Sequence, residues 1–128
     1  MTDPSARDSF CPHFQKAIEL VGKRWSGTIL RALMDGPRRF SAIASHIPQI
    51  SDRSLSLRLK ELEAEAVIIR HVEPTQPVSV SYELTGKGRD LESVISELER
   101  WAHDWVAPAE EKDEGHDHHS LRAELPVP

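Results

Sequence analysis

Apolar positions recur along this chain first at the spacing of a helix, then at that of a strand, then at that of a helix again. Phe14, Ala17, Ile18 and Val21 share one face, with Pro12 suited to a first turn and Gly22 to an end, which predicts a helix over about 12–21. Trp25 opens a second helix carrying Ile29, Leu30 and Leu33, and Asp35-Gly36-Pro37 stops it. Arg38-Arg39-Phe40 reads as a short extended link. Ser41 is the expected cap of a third short helix with Ile43 and Ile47, which Pro48 ends. After Pro48-Gln49-Ile50 comes SDRSLSLRLKELE, residues 51–63, in which Leu55, Leu59 and Leu62 line one face. Arg53, Leu57 and Lys60 fall on the opposite face, and Ser51 suits the N-cap.

The period then shortens to two. Ile68, Arg70 and Val72 alternate with Ile69, His71 and Glu73, and Val78, Val80, Tyr82 and Leu84 form a second alternating stripe. PTQP between them supplies turn chemistry. Thr85 caps a long final helix, expected over about 86–106, with Leu91, Val94, Ile95, Leu98, Trp101, Ala102 and Trp105 in a stripe. A helix of about twenty residues would reach ~30 Å, more than a small domain covers. A partner subunit explains the excess apolar surface better than burial on the first helix alone, which accounts for part of it.

Composition sets the frame around this pattern. A chain of 128 residues, 38% hydrophobic and 29% charged, has room for one folded domain. Residues 1–9 and 107–128 read as disordered ends flanking a domain of 10–106. No apolar run approaches a membrane span and no signal peptide is evident, so the expected location is cytoplasmic. The single cysteine forbids an intramolecular disulfide. His116, His118 and His119 sit in the acidic tail without nearby cysteines, so neither a metal site nor a cofactor is expected. With no P-loop, paired-carboxylate or nucleophile motif, and with His13, His46, His71 and His103 scattered singly, an enzyme is not expected.

Net charge is −5, which at first argues against nucleic acid, yet the charge is unevenly spread. Residues 13–60 hold nine Lys/Arg against three acids, whereas 61–128 hold six against sixteen. A local cationic face is what DNA senses. Taken alone, the Ser51–Glu63 helix could be an ordinary solvated helix. Two helices joined by a short turn, the second amphipathic and basic, form a helix-turn-helix, and the following hairpin makes it a winged helix. The fold class is therefore mainly α (α+β), a winged helix-turn-helix with added N- and C-terminal helices that form a homodimer.

The ordered series Cys11-Pro12, Gly22-Lys23-Arg24-Trp25, Ile29-Leu30, Gly36-Pro37-Arg38-Arg39-Phe40, Ile50-Ser51-Asp52-Arg53, Leu55, Arg58-Leu59-Lys60-Glu61-Leu62-Glu63, Pro77, Val80, Tyr82 and Leu84-Thr85 resembles the HxlR family of bacterial winged-helix regulators, of MarR-like architecture. The resemblance covers residues 11–105. It implies a homodimer through the first and last helices, with Phe14, Ile18, Leu91, Ile95, Leu98, Trp101 and Trp105 at the interface, each subunit placing a recognition helix in a major groove. Arg53, Leu57 and Lys60 are then candidates for base contact, and Ser51, Ser54, Arg38, Arg39 and Arg58 for phosphate contact. The expected target is double-stranded DNA, a pseudo-palindromic operator with half-sites about one turn apart.

Members of this family often carry a cysteine where Cys11 stands, and several sense quinones, aldehydes or oxidants. A thiol just before a helix N-terminus feels the positive end of the dipole, though a free cysteine can equally be a small inert residue at an interface. Three positions depart from the family pattern. Cys11 and Trp25 lie one residue further apart, Ala66 replaces the glycine that ends the recognition helix, and the wing, 74–81, lacks Lys and Arg. Trp25 reads as a core residue pinning the first two helices, with Trp25 and Trp101 also candidates for a small-molecule pocket. The expected function is a dimeric DNA-binding regulator, a repressor answering a small molecule or modification of Cys11. The alternative is a winged helix that binds protein and not DNA.

Overall fold

The computed structural model describes residues 10–106. The two expected disordered ends, and with them His116, His118 and His119, lie outside the described residues.

Helix α1 runs from Pro12 to Val21, with Pro12 in its first turn and Gly22 closing it by an N–H bond to the Ile18 carbonyl at 2.7 Å. Helix α2, Ser26–Leu33, is the innermost, burying Ile29, Leu30, Ala32 and Leu33. Trp25 is not the core residue expected. It is half-buried and adopts the left-handed conformation at φ 75°, with the Arg24 guanidinium 4.8 Å over its ring.

Arg38-Arg39 is extended as expected, but it forms a strand, β1, in a sheet of order β1-β3-β2. Pairing of Arg39 with Ser81 holds Arg39 extended, so helix α3, Phe40–His46, starts directly after it. Ser41 therefore lies inside the helix and does not cap it. Ile43, Ile47 and Ile50 go into the core, and helix α4, Asp52–Ala64, follows with Leu55, Leu59 and Leu62 at 1% exposure or less. Each such leucine contributes roughly 1.5–3 kcal/mol by leaving water.

Helix α4 ends in a Schellman motif. The Val67 N–H reaches the Leu62 carbonyl at 3.0 Å and the Ala66 N–H that of Glu63 at 2.9 Å. Ala66 takes the left-handed conformation, φ 62°, usually left to glycine. Strands β2, Ile68–Glu73, and β3, Ser79–Leu84, form the antiparallel wing, with Ile68 opposite Leu84 on the buried side.

The long final helix is interrupted. Thr85 caps a short α5, Gly86–Arg89, and a second helix, α6, spans Glu92–Trp105. The Thr85 hydroxyl donates to the Ala66 carbonyl at 2.6 Å and accepts from the Gly88 N–H at 3.1 Å. A Cβ on Gly88 would lie 2.1 Å from the Val67 carbonyl, so close approach here requires glycine. Two glycines in α5 weaken helix propagation by about 1 kcal/mol each relative to alanine, and the Leu91 N–H closes a tight turn onto the Gly88 carbonyl. With 14 residues, α6 is about 21 Å long, so the ~30 Å argument for a partner does not stand.

The described residues fall into two compact units that divide between Glu92 and Ser93. The first holds the winged helix and α1. The second holds α6 from Ser93 onward, tied along its surface by Arg100 to Glu97 and Asp104.

Candidate nucleic-acid interface

Ser51 sets the start of the candidate reading helix. Extended at φ −81° and ψ 157°, it accepts from the Ser54 N–H through Oγ at 3.0 Å, satisfying a donor that the first turn leaves open. Three buried leucines then fix the helix's rotation about its own axis. Arg53, Leu57 and Lys60 consequently face outward, and Leu57 stays 48% exposed although it is apolar. Among the described residues, the side chains of Arg53, Lys60 and exposed Arg39 have no hydrogen-bond or ion-pair partner. Such side chains are available to phosphates or base edges.

The other candidate cations are already engaged. Arg38 donates from Nε to the Ala32 carbonyl at 2.7 Å and faces Asp35 at 3.5 Å. Arg58 donates from Nε to the Arg24 carbonyl at 3.1 Å and from Nη1 to Glu61 at 2.6 Å. Its side chain is 20% exposed, and Lys23 also reaches Glu61, at 3.5 Å. Ser54 is half-buried. The set expected at the interface therefore divides into an outward group of Ser51, Arg53, Leu57, Lys60 and Arg39, and a partly buried group of Arg38, Ser54 and Arg58.

One cation escaped the sequence reading. Arg70 on β2, opposite Tyr82, is exposed without a partner among the described residues. Its place in an alternating strand signalled only structure, and a wing counted from 74 to 81 left it out. Next to it, His71 Nε2 and Glu83 share a hydrogen bond at 2.8 Å, and Glu83 also faces Arg89 at 3.8 Å.

Cys11 is exposed and caps α1, its Sγ accepting from the Phe14 N–H at 3.4 Å. Phe14 and Ile18 lie exposed on the same helix. Of the other expected interface positions, Leu91 and Ile95 are half-buried, whereas Leu98, Trp101 and Trp105 are about half-exposed or more. An open cavity of about 1350 Å³ lies between α1, the C-terminal half of α4 and Lys87–Leu91, with Ile18, Ser26, Leu62 and Val67 in its lining. Trp25 does not line it, and Trp101 belongs to the second unit. No group of three or more metal-ligating side chains occurs among the described residues, and none of their helices is long and apolar enough to cross a membrane.

The model of the HxlR-like helix-turn-helix matches residues 20–110. The HTH-type transcriptional regulator YodB of Bacillus subtilis is 45% identical over 103 residues, covering 80% of this chain and 92% of its own. Its quinone-bound crystal structure superposes with a TM-score of 0.64 at 45% identity, over 73% of this chain and 98% of that one. The redox regulator HypR in its oxidised form gives a TM-score of 0.69 at 33% identity, over 73% and 95%.

Proposed function

Since the chain belongs to the HxlR-like helix-turn-helix family of transcriptional regulators, we propose that it binds operator DNA as a homodimer and releases it when Cys11 is modified. The observation that carries the DNA reading is the outward face of α4, where Arg53, Leu57 and Lys60 stand without internal partners among the described residues. In a major groove the two cations would donate to guanine edges or phosphates, and Leu57 would meet a thymine methyl. Ser51 and Arg39 would fix register on the backbone, with Arg70 adding a contact from the wing stem. A two-fold dimer, closed through the apolar residues of α1 and α6, would read two half-sites about one turn apart.

The test is retardation of a duplex from upstream of the chain's own gene. Replacing both Arg53 and Lys60 by alanine should weaken binding at least about 100-fold, each base contact being worth roughly 1–3 kcal/mol, while the dimer persists in gel filtration. Wild-type protein that leaves this DNA unshifted would favour the protein-binding alternative.

Sensing at Cys11 draws support from its exposure and its place at the start of α1. Related regulators have been solved in a quinone-bound form, YodB, and in an oxidised form, HypR. A quinone would add to the thiolate, forming a carbon–sulfur bond, and the thiol's proton and the proton lost from the attacked ring carbon would end on the two oxygens of the resulting hydroquinone. An oxidant could join Cys11 only to a second molecule's thiol, as the sequence has one cysteine. Quinone should release wild type from DNA and leave Cys11→Ser bound. Equal release of both would exclude the thiol.

A further inference from the structure

We propose that Arg58 is a positioning residue, locking α4 to the turn between α1 and α2, and not a contact to DNA phosphate. This rests on the DNA-binding reading above.

Three observations carry it. First, at 100° per residue Arg58 sits roughly 130° around the helix from the centre of Arg53, Leu57 and Lys60, on the flank of the buried leucine stripe. Second, two edges of its guanidinium are committed. Nε donates to the Arg24 carbonyl, 34 residues away in sequence, and Nη1 to Glu61 one turn along the same helix. Glu61 in turn receives Lys23 from the same turn, so two side chains of α4 grip residues 23–24 together. Third, the carbonyl that Arg58 holds belongs to the peptide leading into Trp25, whose left-handed φ of 75° is costly for a bulky side chain. Strain of this kind persists only where neighbours over-determine the backbone.

The turn begins at Gly22, where α1 ends. A displacement of α1 therefore reaches the Arg24 carbonyl within two residues, and through Arg58 it reaches the helix that carries Arg53, Leu57 and Lys60. Arginine suits this task because a planar fork can serve a carbonyl and a carboxylate at once, whereas a lysine ammonium is a single point.

The experiment titrates the same duplex with full-length wild type, Arg58→Ala, Arg58→Lys, Glu61→Gln and Arg39→Ala between 50 and 200 mM salt. Thermal unfolding of each variant gives its folded fraction. Arg58→Ala and Arg58→Lys should both bind roughly tenfold more weakly once corrected for folding. Glu61→Gln should weaken binding in the same sense. The slope of log affinity against log salt should stay at the wild-type value for the Arg58 and Glu61 variants and fall by about 0.9 for each lost phosphate contact, the comparison that Arg39→Ala supplies.

A lowered slope in Arg58→Ala, with Arg58→Lys restored to wild type, would make Arg58 a phosphate ligand and overturn the proposal. So would wild-type affinity in both Arg58 variants, which would leave the residue a role in stability alone. Wild-type protein that fails to bind at all would overturn the DNA reading, and this proposal with it.

Discussion

Ala66 occupies a conformation that its side chain opposes. At φ 62° its Cβ crowds the following carbonyl, a cost of about 1–2 kcal/mol for an L-residue, yet both Schellman bonds are formed. Glycine would remove that cost but lose more chain entropy on folding, about 0.5–1 kcal/mol. Ala66→Gly should therefore stabilise the protein by up to about 1 kcal/mol, raising the unfolding midpoint by a few degrees in circular dichroism. A lowered midpoint would mean that the Schellman turn tolerates alanine without strain. The sequence revealed the exchange of glycine for alanine but not which of propensity or tertiary context would prevail. Ser51 was legible because its oxygen and the following leucine period agree, and the Oγ bond to Ser54 is formed. Ser41 carried a similar local signal, but a strand pairing to Ser81, forty residues on, moved the helix start ahead of it.

Among the elements, α4 and the wing followed from period alone, within one residue at each end. Their buried and exposed faces are set by side chains a few positions apart. The last helix did not, because its break depends on Thr85 bonding back to Ala66 and on Gly88 passing against Val67, contacts between segments that a stripe of apolar residues cannot disclose. The break changes the argument for a partner without removing it. Length no longer demands one, but α6 contains no buried residue, and Val94, Leu98, Trp101 and Trp105 are each 48% exposed or more. An apolar stripe of that kind in water supports the proposed interface. If α6 closes the proposed homodimer, replacing Leu98 and Trp101 by alanine should shift the protein from dimer to monomer in light scattering and weaken the proposed DNA binding far more than folding. Retained dimer would move the interface away from α6.

Taken whole, the molecule carries −5 while its N-terminal half carries most of the cations. Counting residues foretold that asymmetry but overstated what it offers to DNA. Arg38 and Arg58 are engaged by partners of their own chain, and the wing tip has no cation at all. In the proposed role, each protomer meets the phosphate backbone with few charges, chiefly Arg39, Arg53, Lys60 and Arg70. Affinity for arbitrary sequence rises with the number of phosphates neutralised, and a genome offers about a million or more such competing sites. A protein frugal with outward charge is poorly retained by bulk chromosome. It spends less of its time sliding on irrelevant sequence, and a modest number of molecules per cell suffices to keep one operator occupied.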